Sequence, residues 1–215
     1  METDGIWSSR VSDDFTPDGD LEKRVWTGAQ KVRFDRDPFQ RRSYPEIETS
    51  VATLWTPEHL YLAYWCNFVD LHIYEADDNA DERWGLWHRD VVEAFIAPSA
   101  VTACHYYEFE VAPNNQWLDL EIDLEDRKPI AKDWNSGFLH AVRVDEAQGA
   151  WTAEMRIPAE TMGIREIDPD SIWRINFCRS DGPSSARRLL SWRSLDAGQW
   201  SFHQPARFGM LRFAS

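Results

Sequence analysis

Leu60-Tyr61-Leu62-Ala63-Tyr64-Trp65-Cys66-Asn67-Phe68 alternates with a period of two. Leu60, Leu62, Tyr64, Cys66 and Phe68 fall on one face, and Tyr61, Ala63, Trp65 and Asn67 on the other. Side chains of a strand point to opposite faces in turn. Both faces here are largely apolar, so the segment reads as a central strand covered on both sides. Upstream, residues 46–55 alternate more loosely and stop at Thr56-Pro57-Glu58, the residues of a hairpin turn. Downstream, residues 91–96 make a short apolar run ended by Pro98. Residues 105–111 send Tyr107, Phe109 and Val111 inward and Tyr106, Glu108 and Glu110 outward. Residues 117–124 set Leu118, Leu120, Ile122 and Leu124 against Trp117, Asp119, Glu121 and Asp123, and the turn Pro113-Asn114-Asn115-Gln116 joins these two strands as a hairpin. Further strands are expected over 139–144, 151–157, 172–179, 189–193 and 208–213. Only 158–163, begun by Pro158 and stopped by Gly163, reads as a helical turn. Strands at this spacing, with little helix, predict an all-β fold. The expected architecture is a two-sheet antiparallel β-sandwich, jelly-roll or immunoglobulin-like, with residues 1–215 forming one domain.

Composition narrows the function. A chain of 215 residues buries roughly 70% of its unfolded surface and needs no disulfide to fold. Cys66, Cys104 and Cys178 form no CxxC pair, and Cys66 and Cys178 are expected as small core residues. The net charge is −14, from 37 acidic and 23 basic residues, and the basic clusters Arg41-Arg42 and Arg187-Arg188 are short. Such a surface repels phosphate, so neither nucleic acid nor an anionic membrane is an expected partner. No apolar run approaches the roughly 20 residues of a membrane span, and the N-terminus lacks the regions of a signal peptide. That fits a cytoplasmic protein, or an extracellular or periplasmic one whose leader has been removed. Tryptophan is abundant, with 12 against 6 Tyr. Trp65, Trp151 and Trp173 are assigned to the core, while Trp84, Trp87, Trp134 and Trp200 lie in or beside long irregular stretches. Aromatic side chains kept on loops point to something that stacks on them.

Several blocks resemble the family-9-like carbohydrate-binding modules, relatives in fold of the DOMON domains. Asp13-Asp14, Trp26, Ala29 and Phe34 resemble the family's opening, and Leu60-Tyr61-Leu62-Ala63 its LYVA-type strand. Trp87-His88-Arg89-Asp90-Val91-Val92-Glu93-Ala94-Phe95 resembles its most specific block, a Trp followed by D-x-V-E-x-F. Tyr106-Tyr107-Glu108-Phe109-Glu110-Val111-Ala112-Pro113-Asn114 is similar to YYEFEV.PN. Trp151 to Pro158 is similar to W..E..IP, and Phe202-His203-Gln204-Pro205-Ala206-Arg207-Phe208-Gly209 to FH.P..FG. The resemblance implies a β-sandwich that binds a mono- or oligosaccharide without catalysis. It also implies that two tryptophans clamp one sugar ring while polar side chains bond its hydroxyls. Trp87 and Glu93 match the D-x-V-E-x-F block. Trp200 matches the second clamp position, with Trp192 as the alternative, and an arginine the family places near the YYEFEV strand has no match here.

The expected sugar-contact set is therefore Trp87, Glu93, Trp200, Trp192, Arg89, Arg179 and His203. A clamp needs its rings about 7 to 8 Å apart, one sugar thickness between two stacking distances, with Glu93 at the floor or wall. Glu93 shares its strand with apolar neighbours on both faces, and a buried carboxylate requires a partner. A structural arginine (Arg89, Arg174 or Arg179) or a ligand hydroxyl could supply it. Two other functions compete. A glycosidase or lyase could use Glu108 and Glu110, or Asp119, Glu121 and Asp123. Carboxylates two apart on a strand lie about 6.5 to 7 Å from one another, near the separation of glycosidase pairs, although polar residues facing outward are what any half-exposed sheet shows. A DOMON-type haem domain would need Met155, Met162, His88, His105 or His203 as ligands. No cofactor is expected, with structural Ca²⁺ as the exception, for which Asp77, Asp78 and Asp81 offer oxygen ligands.

Overall fold

The computed structural model describes residues 5–75, 82–101, 104–198 and 201–215. Its strands in chain order are β1 (Gly5–Arg10), β2 (Lys31–Phe34), β3 (Thr49–Trp55), β4 (His59–Asn67), β5 (Val91–Ala97), β6 (His105–Val111) and β7 (Trp117–Asp123). They continue with β8 (Ile130–Ala131), β9 (Leu139–Asp145), β10 (Ala150–Pro158), β11 (Ile172–Asp181), β12 (Arg188–Ser191) and β13 (Gly209–Ala214). Hydrogen bonds join them in the order β8-β7-β6-β5-β11-β13-β1-β3-β4-β10-β9, with β12 added to β11 and β2 to β3. The sheet curls on itself into two layers. One core lies between them, filled by Val92, Ala94, Phe109, Ile175 and Phe177 from one side and Val51, Leu62, Tyr64, Ala153 and Met155 from the other.

β4 is central, as its two apolar faces require. Leu60, Leu62, Tyr64 and Cys66 enter the core between the layers. Tyr61 and Ala63 are covered on the outer face by Leu21 and Trp26 of the N-terminal segment. The hairpin closes at Thr56, whose N–H donates to the His59 carbonyl at 2.9 Å, and pairs Trp55 with Leu60. Trp151 and Trp173 are buried in the core. Trp65 is only half-buried, with Lys31 Nζ 3.4 Å from its ring centroid. The helical turn at 158–163 is a single 3-10 turn, Glu160–Met162.

The sandwich departs from the antiparallel expectation at β1. β1 runs parallel to both β13 and β3, and so stitches one layer to the other. The sequence Gly5-Ile6-Trp7-Ser8-Ser9-Arg10 did not announce this strand, because only Ile6 and Ser8 are buried. Its place is set by backbone bonds to strands distant in sequence. β8 is a two-residue strand, too short for a periodic signal.

A buried ion network ties the layers together. Arg179 is wholly buried and donates to the Ile47 carbonyl at 3.0 Å, Thr49 Oγ1 at 3.1 Å and Asp181 Oδ2 at 2.9 Å. Asp181 also accepts from Arg188 Nε at 2.8 Å, and Arg188 reaches Glu46 at 2.9 Å. β11 is thereby bolted to the turn that leads into β3.

A carboxylate-floored cleft as the candidate functional site

β5, β6, β7 and β11 present an outer face as well as a core face. Strand pairing sets Glu93 opposite Glu110, Phe95 opposite Glu108, and Cys178 opposite Glu93. Alternation then gathers Glu93, Phe95, Glu108 and Glu110 on the outer side with Leu118, Leu120 and Ser180. For Glu93 the sequence predicts burial, and for Glu108 and Glu110 a half-exposed polar face; the second expectation is the one the fold overturns. Leu86 and Phe208 pack over these strands as a second apolar cluster, with Tyr74, Trp87 and Phe202 against it. Glu93, Glu108 and Glu110 are left only 2%, 3% and 0% exposed.

None of the three arginines expected to pair with Glu93 does so, and Arg187 acts on it through its charge. Arg89 donates to Ser184 Oγ at 2.9 Å and stacks over Tyr74. Arg174 donates to the carbonyls of Ala100 and Phe208, and Arg179 faces the core. Ser180 Oγ instead donates to Glu93 Oε1 at 3.0 Å. Among the described residues, no group outside the cluster donates to either oxygen of Glu110 or to Glu108 Oε2, and Glu108 and Glu110 are hydrogen-bonded to each other. One oxygen from each of the three carboxyl groups lies within 4.8 Å of the others. Burial first, and then the adjacent Glu108 charge, pushes Glu93 well above the ordinary range. Glu110 is raised likewise by burial and then by Glu108 and Glu93. Burial raises Glu108 too, against the pull of His203. The cluster retains protons that exposed glutamates would have lost.

Above this floor opens a cleft of about 280 Å³, whose lining includes Trp84, Trp87, Glu93, Glu108, Arg187 and His203, with Phe95 and Phe202. Arg187 donates to the Trp87 carbonyl. The Tyr106 hydroxyl and His203 Nδ1 are 3.0 Å apart. A proton donated to Nδ1 leaves Nε2–H toward Glu108 Oε2, 3.9 Å away. The walls are pinned by Asp90, the first residue of D-x-V-E-x-F. Its buried carboxylate accepts from the backbone N–H of His72 at 2.8 Å and of Gly182 at 2.5 Å.

Trp84 and Trp87 meet edge to face, with centroids 4.9 Å apart at 84°, so the pair forms a corner rather than a parallel slot. Gly85 between them sits at φ 84°, where a Cβ is disfavoured. Gly85→Ala is expected to cost about 1 kcal/mol and to turn both rings. An unchanged thermal midpoint together with an unchanged tryptophan emission spectrum would contradict this.

Trp200 lies outside the described residues, as do Asp77, Asp78 and Asp81. Trp192 does not line the cleft. Its ring lies 5.4 Å from that of Phe177 and closes over Gly209, where an added Cβ would come within 2.7 Å of it. Met155 and Met162 are buried in the core, and His105 pairs with Glu121 at 2.9 Å. Arg187 and Phe202 were not anticipated as lining residues. For Arg187 the signal was present in the isolated pair Arg187-Arg188, on an otherwise acidic chain.

A β-sandwich with an aromatic-walled, carboxylate-floored cleft on one sheet face is the architecture of a small-ligand binding module. The family model for the carbohydrate family 9 binding domain-like proteins matches residues 18–215, and the chain belongs to that family. An extracellular protein of Arthroderma benhamiae is 23% identical over 195 residues, covering 85% of each chain. A Bacteroides uniformis protein named for an expected carbohydrate-binding role superposes with a TM-score of 0.77 at 18% identity, covering 97% of this chain and 98% of its own. A family 9 carbohydrate-binding module of Caldicellulosiruptor kristjanssonii, solved with cellotriose, gives a TM-score of 0.68 at 16% identity, covering 98% of this chain and 94% of that one. These likenesses extend the shared fold along nearly the whole chain.

Proposed function

We propose that the chain acts as one binding domain whose cleft holds a mono- or oligosaccharide without altering it. Trp87 stacks on one face of a pyranose, and Trp200 is the opposing ring that the family resemblance supplies. Glu93, Glu108, Arg187 and His203 read the hydroxyls. The observation that carries this reading is the cleft itself. Flat apolar rings stand beside a few convergent polar groups, as a ligand with a CH-rich face and a polar rim requires. The relatives solved with cellotriose and with glucose make neutral glucans the first ligands to try. Affinity is expected between about 1 µM and 1 mM.

Trp87→Ala is expected to weaken binding at least tenfold, about 1.4 kcal/mol, while the thermal midpoint moves by only a few degrees. The checks are calorimetric titration and a melting curve on the same sample. A collapse of the melting curve would assign Trp87 to the fold instead. A glycan array without a hit would refute the binding reading. New reducing ends after incubation with glycans would move the protein to the hydrolases, and a Soret band would move it to the haem carriers.

A further inference from the structure

The floor of the cleft sets a charge condition on whatever occupies it. Glu93 and Glu108 line the cleft and Glu110 stands beside them. Among the described residues the one hydrogen-bond donor from outside the cluster is the Ser180 hydroxyl, and a retained proton joins Glu108 to Glu110. No other group donates to Glu108 Oε2 or to either oxygen of Glu110. The nearby cationic groups offset part of the charge but give these carboxyl groups no hydrogen bond. Arg187 is bonded to the Trp87 carbonyl, and His203 Nε2 stays 3.9 Å from Glu108, beyond hydrogen-bonding distance. Buried carboxylates in this state call for donors and for positive charge.

We infer that the preferred ligand is an amino sugar, a hexosamine residue with a free, unacetylated ammonium group facing Glu93 and Glu108. This rests on the saccharide reading above and names the sugar class. An ammonium brings three donors, no acceptor and one positive charge, and its hydrogen bonds to carboxylates are about twice as strong as neutral ones. A sugar hydroxyl brings one donor and no charge. N-acetylation removes the charge and adds a carbonyl acceptor where acceptors are already in excess. A uronic acid adds a like charge and is repelled. A bare divalent cation answers the charge but leaves the rest of the cleft without a role. Ca²⁺ seeks six to eight oxygen ligands, whereas the walls offer Trp84, Trp87, Phe95, Phe202, Leu189 and Leu195.

The test is calorimetric titration of the full chain with four trisaccharides (glucosamine, N-acetylglucosamine, glucose and galacturonic acid) and with calcium chloride alone. The glucosamine trimer is expected to bind at least tenfold more tightly than cellotriose or the acetylated trimer, with no detectable heat from the uronate. Glu108→Gln and, separately, Glu93→Gln should each remove most of that preference, with circular dichroism confirming that both variants fold. Glu160→Gln, an exposed carboxylate elsewhere on the surface, should leave the preference in place. Cellotriose binding as tightly as the glucosamine trimer would overturn the amino-sugar assignment and leave the saccharide reading standing. Silence from every sugar would overturn both. Calcium binding that Glu108→Gln abolishes, without any preference for the amine, would make the cluster a metal site. An equal loss of preference in Glu160→Gln would reduce the effect to the general acidity of the chain.

Discussion

Arg179→Ala is expected to destabilise the fold by about 3 to 5 kcal/mol, the range for breaking a buried ion pair by removing one partner. The guanidinium is wholly buried and supplies donors to three groups, the Ile47 carbonyl, Thr49 Oγ1 and Asp181 Oδ2. Its removal strands a carboxylate oxygen in the interior, leaves the Ile47 carbonyl to the Thr49 hydroxyl, and opens a cavity beside Trp151, whose ring it approaches at 5.9 Å. The Thr49 hydroxyl keeps its bond to the Ile47 carbonyl, at 3.3 Å. Asp181 keeps Arg188, which sets the upper limit on the loss. Arg179→Lys keeps the charge but not the planar fork, and should fall between the two. Urea denaturation followed by tryptophan fluorescence measures all three proteins. A loss below 1 kcal/mol for the alanine variant would mean that the network adds little beyond the packing around it.

The case of Arg179 shows what period-two reading could and could not supply. Alternation along residues 172–179 places Arg179 on the face opposite Cys178, and pairing sets Cys178 beside Glu93. An arginine one residue off cannot reach Glu93. A single strand read alone does not reveal its neighbour's register, so the partnership looked open. The same reading found β4, because a strand apolar on both faces needs only its own residues to declare itself. It also grouped Glu93 with Phe95, and Glu108 with Glu110, on single faces. What it could not see is that Leu86 and Phe208 close over those faces from segments remote in sequence. Outward therefore meant solvent in the sequence and the floor of a covered cleft in the fold. Trp192 illustrates a quieter signal. Gly209 begins a strand, where glycine is disfavoured, and the close approach of the Trp192 ring is the reason only glycine fits there.

The floor of that cleft should also be visible in stability. Glu110→Gln is expected to raise the unfolding free energy by at least about 1 kcal/mol at pH 8, the cost of keeping in the native state a proton that the unfolded chain has lost. The glutamine amide can donate to Glu108 without holding a proton to do so, replacing the hydrogen bond that Glu110 shares with it, and one of three crowded carboxyl groups is gone. The effect depends on pH in a definite direction. Burial and the charges of Glu108 and Glu93 raise Glu110 well above its ordinary 4.5, so the native state keeps a proton that the unfolded chain has released. Above pH 4.5 the native state thus binds more protons than the unfolded one, and raising the pH favours unfolding. Glu93 and Glu108, raised in the same direction, add to the slope. The facing groups Cys178 and Tyr106 are themselves pushed upward by burial and remain neutral, while Arg187 and His203 offset part of the charge. The wild-type protein should therefore lose stability between pH 5 and pH 8. The Glu110→Gln variant should lose less, so that the gap between the two widens with pH and nearly closes at pH 5. Paired urea titrations at those two values decide it. Parallel curves, or a variant less stable than the wild type at pH 8, would show that the carboxylate of Glu110 is compensated in the native protein and that the cluster carries no excess charge.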